Sequence, residues 1–522
     1  MLKKLFMYTP LSSRDNFELT FSDKDYGSKR EVNENVQVSY NIDDNEKMLK
    51  KMLHLERNGD IILRKFNCVV GSDEVKGIIV FADGLANKTL INDFILEPLM
   101  QNNCKSLPDG ADMSFFTHNL IPQVQATEES SVLSLVQSVN IGNASLFLDG
   151  CKMGAIFDVK TWEHRGVDSP ANEEVVQGPH EGFNEILRCN TALIRKNLNT
   201  PDLVMETFFF GKISKTPASL AYIDGTVNPS LIKEVRKRLD EMDEEYILSV
   251  FDIEKHLEQN KLSPMPHIIT TERPDKVARS LVEGRVALCL NGSSQAIILP
   301  ANITDLLSSP EDAYLRVPYG IFIKFVRTIA VMLSLLTPAV YLALTEFHTG
   351  AILTDMLIAL AGADANVPFA PLTEVLIMEL AFELIKEAGV RIPGAIGSSL
   401  GIVGGLILGQ SAVSAGIVSP IVIIIVSICG IASFAIPSYS ISFAFRISRF
   451  AYIFAGAFLG IVGILCLLSV QLGTFLGSKS FGVPICVPFS PKTRNTFSVF
   501  TMMHTQITPK PLEYLNPISE KE

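Results

Sequence analysis

The sequence predicts a cytoplasmic α/β region of two related subdomains followed by an α-helical, multi-pass transmembrane domain. Three observations carry that prediction. Charged side chains crowd the first part of the chain, yet none occurs from Ile392 to Phe445. Ahead of the apolar part, short β-like runs alternate with amphipathic helical patterns. Two turn motifs in that first part also recur, in order, at an offset of roughly 141 residues. A chain of 522 residues, 47% of them hydrophobic, is long enough for about three domains of roughly 150 residues each. Its uncharged stretch excludes a wholly soluble protein on composition.

Residues 1–45 read as a flexible leader with interspersed charges and few large apolar side chains. Its apolar stretch before Thr9 and Pro10 covers about three residues, short of the roughly 7–15 of a secretory signal. The following region is therefore expected not to be exported. Within 46–165, KGIIVFADG reads as a strand ending in a turn at Asp83-Gly84, and NKTLINDFILEPLM has helical apolar spacing. Within 166–315 the pattern returns: Asp224-Gly225-x-x-Asn228-x-x-Leu231-Ile232 repeats Asp83-Gly84-x-x-Asn87-x-x-Leu90-Ile91. SLFLDGCKMGAIF, with Asp149-Gly150, is echoed by VALCLNGSSQAII, with Asn291-Gly292, and each reads as strand, turn, strand.

No catalytic chemistry is visible in either copy. The Asp-Gly pairs fit turns for backbone reasons. His54, His118, His164, His180, His256 and His267 lack ligand spacing, and no Walker loop, GxSxG or GxGxxG follows a strand. The eight cysteines show no paired metal spacing, which fits a reducing compartment without zinc or a disulfide framework. With 45 basic and 56 acidic side chains the net charge is −11, and no basic face or tail offers itself to nucleic acid. The expectation is a protein with no cofactor, no metal and no enzymatic activity.

The membrane domain is expected over 316–477, with a C-terminal tail at 478–522. Lys324 and Arg327 precede TIAVMLSLLTPAVYLAL, about 17 uncharged residues and close to the minimum span; the cationic flank places the soluble part in the cytoplasm. Pro338 should kink this helix unless a neighbour satisfies the carbonyl it frees. From Ala395 the chain is long enough for two crossings hinged near Ser419-Pro420, the first with Gly397, Gly401, Gly404, Gly405 and Gly409 for close packing. Beyond Arg446 and Arg449, a second cationic flank, FAYIFAGAFLGIVGILCLLSVQLGTFLG reads as one further span. Five crossings would put the tail outside; a hairpin involving Ala351–Ala361 would return it to the cytoplasm.

PLTEVLIMELAFELIKEAGV, residues 371–390, is apolar yet carries Glu374, Glu379, Glu383, Lys386 and Glu387. At about 100° per residue, Leu372, Leu376, Glu379, Glu383, Glu387 and Val390 share one face and Glu374 points the other way. Repeated around an axis, that stripe would make an acidic pore with apolar constrictions. The same pattern also fits an interfacial helix, or carboxylates buried in pairs with Lys386 or Arg391.

Long ordered blocks then resemble the A subunit of the GerA-type spore germinant receptors of endospore-forming Firmicutes, from about residue 45 to about residue 490. VVQGPHEGFNEILRCNTALIRKNL carries a Gly-Pro-x-Glu-Gly-Phe block at Gly178, Pro179, Glu181, Gly182 and Phe183, with Asn190 and Arg195 following. TTERPDKVARSLVEGRVAL carries Glu272, Arg273, Pro274 and Asp275. Asn291 departs from the family's usual Asp-Gly turn. The resemblance implies a multi-pass protein of the spore inner membrane that senses nutrients together with a transporter-like B subunit and a lipoprotein C subunit. It further implies a homo-oligomer, in contact with membrane lipid, that gates the release of monovalent cations to start germination. In that picture Glu379 and Glu383 would form the cation-attracting ring, with Leu376 or Phe382 near the constriction. A non-conducting scaffold that couples B-subunit sensing to ion release is the rival reading.

Overall fold

A computed structural model of the chain describes residues 36–70, 73–101, 112–123, 125–160, 169–170, 173–258, 265–365, 367–391, 405 and 407–490, with positions 17, 19, 512 and 515. Most of the expected leader, Gly397, Gly401, Gly404 and nearly all of the tail beyond Ser490 lie outside the described residues.

The first unit runs α1 (Ile42–Met52), β1 (Ile61–Val70), β2 (Asp73–Ala82), α2 (Lys88–Ile91), α3 (Glu97–Met100), α4 (Met113–Asn119), β3 (Ala126–Glu129), α5 (Val132–Asn140), β4 (Ala144–Leu148) and β5 (Gly154–Phe157). A single wide helical turn, Asn92–Leu96, joins α2 to α3. The second runs α6 (Leu187–Asn197), β6 (Leu203–Phe210), β7 (Thr216–Ile223), α7 (Pro229–Asp240), α8 (Val250–Leu257), β8 (Ile269–Thr271), α9 (Pro274–Val282), β9 (Val286–Leu290) and β10 (Ala296–Leu299). Each unit forms a five-stranded antiparallel sheet, in the orders β1-β2-β4-β5-β3 and β6-β7-β9-β10-β8. The two orders coincide strand for strand.

Helices cover both faces of each sheet. On β2, Ile78 and Val80 pack with Leu49 of α1 and Leu135 of α5, while Ile79 and Phe81 pack with Ile95 and Phe116 on the opposite side. The second sheet repeats this, Leu220 and Tyr222 facing α7 and α8 and Ala221 facing α6 and α9. Burial on both faces explains why the inner strands ALA-SER-LEU-PHE-LEU and VAL-ALA-LEU-CYS-LEU are nearly continuous apolar runs rather than alternating ones.

All four Asp/Asn-Gly turns place glycine at positive φ: +89° at Gly84, +81° at Gly150, +82° at Gly225 and +85° at Gly292. After β2 and β7 the motif's Asn caps the next helix, Asn87 accepting from the Thr89 and Leu90 amides and Asn228 from Ser230. After β4 and β9 the turn's side chain does something else. Asp149 Oδ1 accepts from the Ile42 amide at 3.0 Å and Asn291 Oδ1 from the Leu187 amide at 3.1 Å, each capping the first helix of its own unit. Only an acceptor oxygen is needed, so Asn serves at 291 where Asp serves at 149. Asn291→Asp should leave stability within about 0.5 kcal/mol, whereas Asn291→Ala should cost about 1 kcal/mol by thermal unfolding.

Gly84 and Gly225 separate backbone strain from crowding. A Cβ on Gly84 would stand 2.9 Å from the Arg188 carbonyl, whereas one on Gly225 would meet open space. Gly225→Ala should cost about 1–2 kcal/mol through its φ alone, and Gly84→Ala more, because the two units must also part.

The units are joined by a buried ion pair. Arg195 of α6 reaches Asp60, ahead of β1, at 2.5 and 2.8 Å, and also binds Asn58, Asn140 and the Leu203 carbonyl. Both charged side chains are 1% exposed.

Beyond α10 (Ile303–Leu306) and a short turn at Pro310–Ala313 come α11 (Val317–Glu346), α12 (Thr354–Asp364), α13 (Pro371–Arg391), a helical stretch at 407–414, α14 (Pro420–Phe434) and α15 (Tyr439–Gly477). Helices α11 and α15 are long and apolar enough to cross a membrane. Helix α11 begins before its expected flank, so Lys324 lies buried within it and Arg327 pairs with Asp312.

The single span expected after Arg449 is instead a helical hairpin. Gly460 breaks α15 at φ +63°, and Tyr452 donates to Gln471 at 2.5 Å; nineteen residues of unbroken helix would separate them by about 28 Å. Phe347, just past α11, packs against the Gly460 bend, and a Cβ on Gly456 would stand 2.5 Å from the Ala339 carbonyl. The first arm thus runs alongside α11 and the second returns. The chain then re-enters the second unit through β11 (Lys479–Ser480) and β12 (Val483–Pro484). Ser480 Oγ donates to the His267 carbonyl and accepts from Ala301 N, Ile303 N donates to the Ile485 carbonyl, and Phe481 enters the apolar cluster of β7 and α7.

Candidate functional site

The helical bundle is organised around the carbonyl that Pro338 frees. Proline at position 338 cannot donate to the Ser334 carbonyl one turn earlier, and two side chains donate instead: Arg449 Nε at 2.7 Å and Cys429 Sγ at 3.0 Å. The same guanidinium reaches Ser334 Oγ at 2.8 Å and Glu379 Oε2 at 2.7 Å. Arg449 is 2% exposed and Glu379 fully buried. One residue thereby ties α11, α13 and α15 together.

A second pair lies alongside: Arg446 forks onto Glu383, its Nε at 3.0 Å. Lys386 donates to Ser433 of α14 and sits over the Phe434 ring. At the other end, Glu374 accepts from the Ser419 amide at 2.7 Å. Helices α13 and α14 therefore run parallel, and the first arm of α15 runs antiparallel to α13.

The predicted stripe is thus divided. Glu379 and Glu383 face the chain's own arginines, Arg449 and Arg446 of α15. Leu372, Leu376 and Phe382 pack, half-buried, into an apolar cluster with Tyr341, Val375 and Val422; the Phe382 ring lies where a Cβ on Gly430 would stand 3.0 Å away. Glu387 is exposed. The outward face of α13 presents Ile377, Leu380 and Leu384. Arg446 and Arg449, read as a flank, sit inside a helix. The available signal was their spacing of three, which puts both on the face that meets an acidic pair spaced by four.

The two motif blocks of the soluble part meet each other. Arg273, wholly buried, forks onto Asp275 with both contacts at 3.0 Å and donates to the Pro179 carbonyl at 2.8 Å. Phe183 N donates to the Glu272 carbonyl at 2.7 Å, and Pro274 opens α9. Gly178, at φ +131°, lies against the Tyr314 ring, whose hydroxyl donates to Asp275. Burial first, then that hydrogen bond, push the Tyr314 phenol up to about 12. Tyr314 immediately precedes α11, so this clamp fixes the first long helix to the second unit. Glu181 pairs with Lys196, and Gly182 lies between these contacts. Asp83 pairs with Lys88 and with Arg188 of the other unit, and Asp224 reaches back to Arg57 at 3.4 Å. Among the described residues no cluster of three or more His, Cys, Asp or Glu side chains could hold a metal.

Comparison with known proteins bears on this arrangement. Residues 47–511 match the family described as Bacillus/Clostridium GerA spore germination protein. Spore germination protein GerLA of Bacillus cereus is 32% identical over 84% of this chain and 92% of its own length. Spore germination protein B1 of Bacillus subtilis is 34% identical over 87% and 92%. An uncharacterized membrane protein of the same species, YfkQ, is 34% identical over 89% of both. Among solved structures, the N-terminal domain of the A subunit of the Bacillus megaterium spore germinant receptor GerK3 is 24% identical, covers 50% of this chain and 96% of its own, and superposes with a TM-score of 0.39.

Proposed function

Because the chain belongs to the GerA family of spore germination proteins, we propose that it is a germinant receptor A subunit whose copies assemble around a cation-conducting path in the spore inner membrane. In this reading α11, α13, α14 and both arms of α15 cross the bilayer, and tandem subdomains at 46–165 and 166–315 stay in the cytoplasm. A transporter-like B subunit takes the nutrient and, with a lipoprotein C subunit, tips a closed–open equilibrium.

The observation that supports it most is the two-sided character of α13. Its membrane-depth charges turn inward to Arg446, Arg449 and Ser433, while Ile377, Leu380 and Leu384 are left outward with Glu387 at the end nearer the soluble units. Around a shared axis that face supplies apolar constrictions and an acidic mouth. Neutralisation of Glu379 and Glu383 within one chain favours a second reading, a non-conducting scaffold that couples the B subunit to ion release elsewhere.

Planar bilayers carrying the purified chain, with and without its B partner, distinguish them. The channel reading expects a cation-selective current that Glu387→Gln weakens severalfold. Silence under every condition would move the conductance to a partner.

A further inference from the structure

The segment that returns from α15, Ser480–Val487, is fastened to the second unit through Ser480 and Ile485. Two stretches distant in sequence also pack on it. Leu512 N donates to the Glu283 carbonyl at 3.1 Å, and Asn228 Nδ2 donates to the Leu515 carbonyl at 3.3 Å. Both leucines join Val483 and Val487 in one apolar cluster. From the leader come Phe17 and Leu19. A Cβ on Gly482 would stand 3.0 Å from the Phe17 ring, 3.1 Å from the Phe17 carbonyl oxygen and 3.0 Å from the Leu19 amide nitrogen, so the leader backbone lies directly on Gly482. Leu19 packs against the Val483–Leu515 cluster and also against the cluster of β7, α7 and Phe481.

The two attachments differ in kind. Leu512 is 4% exposed and Leu515 0%, and both are hydrogen-bonded to the unit, so they belong to its interior. Phe17 and Leu19 are only half-buried, two apolar side chains in the polar run Ser-Ser-Arg-Asp-Asn-Phe-Glu-Leu-Thr. The gain from burying them grows with the area they lose to water, and for so short a contact the lost backbone freedom is of similar size. A stretch seated this way is held weakly enough to leave without unfolding what it sits on. Gly482, at φ +79° and without a side chain, is what lets the leader backbone approach.

We propose that the leader is a releasable latch. Gly482, Val483, Val487 and Leu515 form a seat for a short aromatic-x-aliphatic peptide, and Phe17-x-Leu19 of the same chain is its resident occupant. Occupied, the seat holds the returning segment, and with it the second arm of α15, to the second unit. Emptied, it leaves that segment with its own hydrogen bonds and the two buried leucines alone. A partner peptide of the same chemistry competes for the seat. The latch is independent of whether the chain conducts.

The test uses the full chain, one copy per lipid nanodisc, with Cys486 as reporter. That thiol lies in the returning segment between Ile485 and Val487, and burial pushes it up. With the other cysteines replaced, Phe17→Ser/Leu19→Ser should speed maleimide labelling of Cys486 about fivefold. A synthetic peptide of residues 12–24 in excess should bring the rate back toward wild type, and the same peptide carrying both serines should not. Proteins that keep Cys429 alone should label equally with and without the two substitutions, because the bundle stays closed. Equal Cys486 labelling in wild type and variant, an acceleration the peptide does not reverse, reversal by the doubly substituted peptide, or faster labelling of Cys429 as well would overturn the proposal. So would a wild-type rate that is fast at one copy per disc and slow at higher occupancy, since the occupant would then come from a neighbouring copy.

Discussion

Asp60→Ala should destabilise the soluble part by about 3–5 kcal/mol, the range for removing one partner of a buried ion pair. The guanidinium of Arg195 would then stay 1% exposed beside Asn58 and Asn140, with no negative charge to meet it. Asp60→Asn should cost less, because an amide oxygen can still accept one of the two contacts. The double variant Asp60→Leu/Arg195→Met should recover most of the loss, since apolar groups of similar volume often replace a buried pair at little cost. Thermal unfolding of the full chain reads the magnitude, and trypsin cleavage between the units reads the location. A loss below about 1 kcal/mol for Asp60→Ala would show that the pair is not what joins them.

The second large effect belongs to Arg449. Arg449→Leu removes the countercharge of Glu379 and leaves the carbonyl freed by Pro338 with Cys429 alone. The expected cost is again about 3–5 kcal/mol, concentrated where α11, α13 and α15 meet. Cys429, fully buried at that junction, is a built-in reporter. With the other cysteines replaced, maleimide labelling of Cys429 should accelerate about tenfold or more in Arg449→Leu, following the population of the opened bundle. Glu379→Gln alone should accelerate it too, and Glu379→Gln/Arg449→Gln should fall below either single change. Equal labelling in all four proteins would mean that the network does not hold the bundle closed.

How much was legible follows from where the information lies. The recurring turn and cap were readable because glycine at positive φ and an Asn cap are local requirements, met at Asp83-Gly84 to Asn87 and again at Asp224-Gly225 to Asn228. The need for a donor at the carbonyl freed by Pro338 was readable for the same reason, though not its identity. Arg449 could not be assigned, because it comes from a helix more than a hundred residues away and its position beside an apolar run also fits a membrane flank. Asp60 and Arg195 were invisible as a pair for that reason as well. Asn45 and Asn190, which both fasten their helix to the preceding backbone at 2.6–2.9 Å, look like ordinary polar residues in sequence. The hairpin at Gly460 was missed because a glycine among Ala455, Gly456, Ala457 and Gly463 reads as packing rather than as a bend.

The return of the chain after α15 gives the molecule a mechanical character. The bundle leaves the second unit at Tyr314 and is handed back to it at Ser480, so it hangs from one body by two straps rather than trailing from a single tether. The two attachments lie at Tyr314, through its hydrogen bond to Asp275, and at Ser480, through those to His267 and Ala301. Any tilt of that unit would therefore bear on α11 and on the second arm of α15 at once, and the bend at Gly460 is where the two arms of α15 would take up the difference.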